Sequence, residues 1–88
     1  MQDASLAERV GALVRHLRSA AGLSQEEFAH RCGLHRTYMG AIERGEKTMT
    51  IATADKLCQA LGLTLSQFFA HLENESRGLS TAFECEDG

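Results

Sequence analysis

Proline is absent from all 88 residues, so no ring stands ready to kink or break a helix before a glycine or polar cap ends it. No apolar run approaches the ~18 residues of a membrane-spanning helix, which argues against a membrane partner or location. Strand-like alternation of useful length and any internal repeat of solenoid period are missing, and an all-α fold is what remains. Cys32, Cys58 and Cys85 are odd in number and irregularly spaced. That pattern excludes a disulfide framework and suits reduced thiols, two of them packed as small apolar groups. MQDASLAERV, the first ten residues, holds neither a basic segment nor an apolar core, so no export signal is expected and the location should be cytoplasmic.

An excess of cations is also lacking. The formal net charge is −3. Residues 1–72 carry eight Lys and Arg against seven Asp and Glu, whereas 73–88 carry one Arg against five acids. The acidity therefore belongs to the C-terminal segment, and anion binding by the rest would depend on where its cations and helix N-termini lie. A length of 88 residues permits one small domain with a modest core, the kind that commonly gains stability by oligomerising.

Local punctuation divides the chain into five helices. Ser5 with Glu8, Ser24 with Glu27 and Thr64 with Gln67 have the spacing of capping boxes, and Thr50 is a further N-cap candidate. Gly22-Leu23, Gly33-Leu34 and Gly62-Leu63 supply stops. The helices expected are 6–21, 25–32, 36–44, 51–61 and 65–72. Their apolar stripes are Leu6, Val10, Leu13 and Leu17; Phe28, Ala29 and Cys32; Met39 and Ile42; Ile51, Ala54, Leu57, Cys58 and Leu61; and Leu65, Phe68, Phe69 and Leu72. Residues 1–72 form the expected domain, and 73–88 an acidic tail, with Gly78-Leu79 as an alternative stop for a longer fifth helix.

The most informative stretch is SQEEFAHRCGLHRTYMGAIERG, Ser24 to Gly45, which places two short helices about a glycine turn. Met39 and Ile42 face inward on the second, leaving Arg36, Thr37, Gly40, Ala41 and Arg44 on the outer faces. Arg36 and Thr37 occupy the first turn of that helix. An arginine there can pair with guanine O6 and N7, and a threonine offers a hydroxyl and a methyl group; a solvated helix start is the plainer alternative. Gly40 is costly inside a helix, by up to about 1 kcal/mol relative to Ala, so either close approach to DNA or tight packing against the preceding helix should justify it. Ala41 could touch a thymine methyl.

Through Ser24-Gln25, Ala29, Gly33, Ile42 and Glu43-Arg44-Gly45, residues 6–72 resemble the phage repressor and Cro type of helix-turn-helix protein. GLHRTYMGAIERG resembles most the controller proteins of restriction-modification systems. The resemblance implies a compact five-helix, lambda repressor-like DNA-binding domain acting as a homodimeric transcription regulator, activator or repressor, on a palindromic operator of double-stranded DNA. RNA polymerase would be a further partner. It implies base reading by Arg36, Thr37, Gly40 and Ala41, and backbone bracing by Gln25. It also implies a structural salt bridge between Arg18 and Glu43. Arg44, Lys47 and Thr48 flank the helix exit as phosphate ligands, and Tyr38 either donates to a phosphate or covers the core edge. Leu65, Phe68, Phe69 and Leu72 offer more apolar area than a short terminal helix needs, which makes them the expected dimer surface.

Rival chemistries find less support. His30-x-Cys32-x-x-His35 hints at a metal, but residues two apart on a helix diverge by about 200° and no Cys pair completes a zinc spacing. No metal or cofactor is expected, and His35 should instead cap the reading helix, where the family often has Ser or Thr. No nucleophile turn or paired carboxylates suggest an enzyme. A general or prophage-type repressor, and a protein-interaction module or antitoxin with secondary DNA binding, are the alternatives.

Overall fold

A computed structural model describes residues 5–77, with side chains described through residue 74. Five helices follow in order: α1 (Leu6–Ala20), α2 (Gln25–Cys32), α3 (Arg36–Glu43), α4 (Ile51–Leu61) and α5 (Leu65–Arg77). No strand occurs among the described residues. The caps are local chemistry realised. Ser5 and Glu8 close their box in both directions at 3.1 Å, as do Thr64 and Gln67 at 3.0 and 2.9 Å. Ser24 Oγ accepts from the Glu27 N–H at 3.0 Å, and Thr50 Oγ1 from the Thr53 N–H at 3.1 Å. Each such bond satisfies an amide that would otherwise lie free in the first turn.

The helix ends are equally explicit. Gly33 has φ +73°, a left-handed conformation that a side chain disfavours, and the Leu34 N–H reaches back to the Ala29 carbonyl at 2.9 Å. This sharp reversal sets α3 across α2. The same return bond runs from Leu23 to Arg18, Leu63 to Cys58 and Glu46 to Ala41.

The core gathers Leu13, Val14, Phe28, Ala29, Cys32, Met39, Ile42, Leu57, Cys58, Phe68 and Leu72. Burying each of the larger side chains is worth about 1.5–3 kcal/mol, so Phe28, Met39 and Phe68, all 0% exposed, are principal anchors. Three expected features differ. Leu6 and Ile51 are 57% and 66% exposed although they belong to inward stripes. Each is the first residue of its helix, where the stripe runs past the elements that would cover it. Helix α5 continues to Arg77, beyond the expected end at 72 and in keeping with the alternative of a longer fifth helix. The Gly78-Leu79 stop and Cys85 lie outside the described residues.

Gly11 had no part in the expected core. A Cβ at this position would collide with the Ile42 carbonyl oxygen and stand 2.7 Å from the Glu43 oxygen. Its lack of a side chain lets α1 cross the end of α3 at backbone distance. A glycine inside a helix costs up to about 1 kcal/mol, and that cost was the signal that could have found it.

Candidate nucleic-acid interface

Helix α3 begins on an unusual cap. His35 Nδ1 accepts from the Thr37 N–H at 3.1 Å, performing with a ring nitrogen the service a Ser or Thr hydroxyl would give. Arg36 and Thr37, the next two residues, are both exposed in the first turn. Their exposure follows from the way α3 is held, packed against both α1 and α2, so that its start projects and its later turns are enclosed.

That enclosure corrects two expectations. Gly40 and Ala41 are buried, Ala41 at 7% exposure, and neither stands on the projecting surface of α3. A Cβ at Gly40 would lie 3.0 Å from an Arg44 guanidinium nitrogen and 3.2 Å from Gln25 Oε1. The glycine is therefore explained by the side chains that close over it, one of them from α2. Tyr38 is half-buried against the core, whereas Lys47 and Thr48 are exposed in the loop beyond α3.

At the other end of α3, at Glu43, lies a polar network joining three helices. Arg18 donates from Nε to Glu43 Oε2 at 2.7 Å, from one terminal nitrogen to Oε1 at 3.1 Å and from the other to the Leu23 carbonyl at 2.8 Å. The side chains of Arg18 and Glu43 are 14% and 4% exposed. Charge-assisted bidentate geometry of this kind compensates burial that would penalise either charge alone. The bond to Glu43 raises the Arg18 pKa further, outweighing desolvation, so the guanidinium is permanently charged. Gln25, expected on the DNA backbone, donates from Nε2 to Glu43 Oε1 at 3.0 Å. It is half-buried, and its oxygen is the atom that faces Gly40.

Arg44 has a partner of its own. Its Nε donates to Glu46 Oε2 at 2.9 Å and a terminal nitrogen to Oε1 at 3.1 Å, with both side chains 58% exposed. The cation is engaged by a carboxylate two residues away that sequence reasoning passed over. Arg15 was missed too. It lines, with Arg18, Gln25, Glu43 and Arg44, a recess of about 190 Å³ between α1, the start of α2 and the end of α3. Its place one turn before Arg18 on α1 was the available signal.

The four residues of the expected dimer surface differ in exposure. Phe68 is 0% exposed and Leu72 9%, both within the chain's own core, and Leu65 is half-buried against it. Only Phe69, at 38%, is substantially outside, with its ring edge-on to Phe68 at 5.4 Å. Phe69 and Leu72, two of the four, line an apolar groove with residues of other segments. Leu6, Ile51 and Phe69, from three helices, line this groove of about 150 Å³ together with Val10, Met49 and Ala54.

Comparison with known proteins places the fold in a family. A family model described as a helix-turn-helix domain matches residues 9–68. Control protein C.MunI of Mycoplasma sp is 38% identical over 68 residues, which cover 76% of this chain and 92% of that protein. Control protein C.SmaI of Serratia marcescens is 41% identical over 64 residues, 70% of this chain and 76% of the relative. Among solved structures, the restriction-modification controller protein C.AhdI from Aeromonas hydrophila has a TM-score of 0.69 at 38% identity, covering 72% of this chain and 96% of its own. The C.Esp1396I controller tetramer in complex with its natural 35 base-pair operator has a TM-score of 0.76 at 28% identity, covering 84% and 97%. On matched length, identity and fold together, the chain belongs to the helix-turn-helix family that contains the restriction-modification control proteins.

Proposed function

We propose that the protein is a sequence-specific DNA-binding transcription regulator that reads a palindromic operator as a homodimer. The observation that carries this reading is the projecting start of α3, where Arg36 and Thr37 are exposed, while a buried network at Glu43 anchors the other end of the helix. A side chain entering the major groove from a first turn reaches base edges only if the helix behind it is rigidly aimed. Arg36 and Thr37 are the base readers. Lys47 and Thr48, with Tyr38 and Arg44, meet the phosphate backbone beside them, and Gln25 braces the network from α2. Gly40 and Ala41 contribute shape rather than contacts.

One reading helix spans too few base pairs for useful specificity, and two such helices about 34 Å apart double the information without enlarging the domain. The face best suited to pairing two copies is the groove of Leu6, Ile51 and Phe69, because three large exposed apolar side chains converge there. By similarity to the control proteins, the regulator would act in the cytoplasm on its own promoter region and set the timing of a restriction endonuclease. RNA polymerase would be the partner of any activating role.

Selection of duplexes from a random pool, followed by salt-titrated binding, tests the proposal. Enrichment of a palindrome, with specific binding that weakens steeply as salt rises, is expected. No preference over random DNA would sink it.

A further inference from the structure

The recess between α1, the start of α2 and the end of α3 has an uneven set of charges. Its floor is neutral in sum, since Arg18 is matched by Glu43 and both are held further by Leu23 and Gln25. Its rim is not. Arg15 and Arg44 both line it, both are exposed, and Arg15 carries no ion pair among the described residues. Arg44 is held outside the recess's own balance by Glu46, a short-range partner on exposed backbone just past the helix end.

Such an arrangement suits one tetrahedral anion. Arginine presents paired N–H donors that match phosphate oxygens, and a floor already satisfied internally neither repels nor rearranges when the anion arrives. The recess also adjoins Gln25 at the start of α2 and Gly40 within α3, so it lies where α1, α2 and the end of α3 meet.

We infer that this recess takes a single backbone phosphate of the bound DNA between Arg15 and Arg44, and that Glu46 is an internal competitor which holds Arg44 until the phosphate displaces it. The inference rests on the DNA-binding reading above. Glu46 thereby lowers affinity for every duplex alike, because a phosphate carries no sequence, and leaves the ratio of operator to random binding unchanged.

Two substitutions separate this from a general charge effect, measured by fluorescence anisotropy on the selected operator and a scrambled duplex. Arg15→Gln weakens binding to both duplexes by the same factor, about 3- to 10-fold, and lowers the salt slope by about 1. Glu46→Gln tightens both by about 2- to 5-fold at low salt. In an Arg44→Ala background the Glu46→Gln gain disappears, since the competitor has nothing left to compete for. A gain that survives loss of Arg44 is long-range repulsion and overturns the competitor, and an unchanged salt slope in Arg15→Gln overturns the clamp. Exchanging chloride for inorganic phosphate at fixed ionic strength distinguishes the DNA phosphodiester from a free ion. Persistence of both variant effects supports the DNA contact, and their loss means the free ion fills the recess. A wild-type chain that binds the operator while both variants match it refutes this inference alone; one that binds no duplex refutes the DNA-binding reading as well.

Discussion

Arg18 of the first helix and Glu43 at the end of the third are joined by two parallel hydrogen bonds, the shorter 2.7 Å, in surroundings that leave the carboxylate side chain only 4% exposed. The pair converts the position of α1 into the direction of α3. Because both charges are largely out of water, removing one leaves the other without compensation. Glu43→Gln is therefore expected to cost about 3 kcal/mol, seen by calorimetry as a fall in Tm of about 12–24 °C for a domain of this size. A Tm within error of wild type would show the pair to be structurally idle.

Exposure at the start of α3 separates reading from positioning. Arg36→Ala should weaken operator binding by about 1–3 kcal/mol and relax preference at one base pair, whereas Lys47→Ala should weaken all duplexes together. Binding measured across a set of single-base operator variants checks this. Identical profiles for the two variants would remove the assigned division of labour.

The proposed pairing groove makes opposite predictions for neighbouring apolar residues. Ile51→Glu, at a side chain 66% exposed, should leave the helical circular dichroism unchanged and shift sedimentation from dimer to monomer. Phe68→Ala, at 0% exposure, should instead destabilise the fold by about 3–5 kcal/mol. If Ile51→Glu remains dimeric at micromolar concentration, the groove is not the interface.

Gly11 offers a test in which two effects have opposite signs. Replacing a helical glycine by alanine ordinarily gains up to about 1 kcal/mol. Here the new methyl group would meet the backbone oxygens of Ile42 and Glu43, which cannot rotate away, and the overlap should outweigh the gain. Gly11→Ala is expected to lower the denaturation midpoint by about 1–3 kcal/mol equivalent, and a rise in stability would show that α1 and α3 can separate cheaply.

Burial also governs the thiols. Desolvation pushes the Cys32 pKa up from 9.0 to about 11, and burial raises that of Cys58, with Asp55 adding to it. A group whose folded-state value lies above the unfolded one holds its proton more tightly when folded. Its stabilising contribution is complete below pH 9 and is lost as pH climbs from there towards 11. Thermal scans over that range should show Tm falling, with a shallower fall in Cys32→Ala. In a Cys85→Ser background, thiol labelling at neutral pH should track unfolding rather than precede it.

Short-range signals were legible because they act between residues three to five apart. Ser5 with Glu8, Thr64 with Gln67 and the left-handed Gly33 and Gly62 place helix starts and stops to within a residue over most of the chain. Periodicity found Phe28, Met39, Ile42 and Leu57 for the same reason, since an apolar stripe must be covered by something. Spacing could not tell what would cover it. Leu6 and Ile51 carry the same apolar pattern as their buried neighbours, yet lie where the stripe outruns the bundle.

The site divides along the same line. The chain's local chemistry is sufficient to mark the helix-turn-helix and to put Arg36 and Thr37 in the first turn of its second helix. Packing of α3 between α1 and α2 decided that Gly40 and Ala41 lie inside, that Gln25 turns towards Glu43, and that Arg15 and Arg44 share a rim. It likewise decided that Phe68 and Leu72 serve the core while Phe69 faces out. These outcomes depend on backbone crossings between segments far apart in sequence, and a residue's type and spacing record only which face it occupies, never which neighbour arrives there.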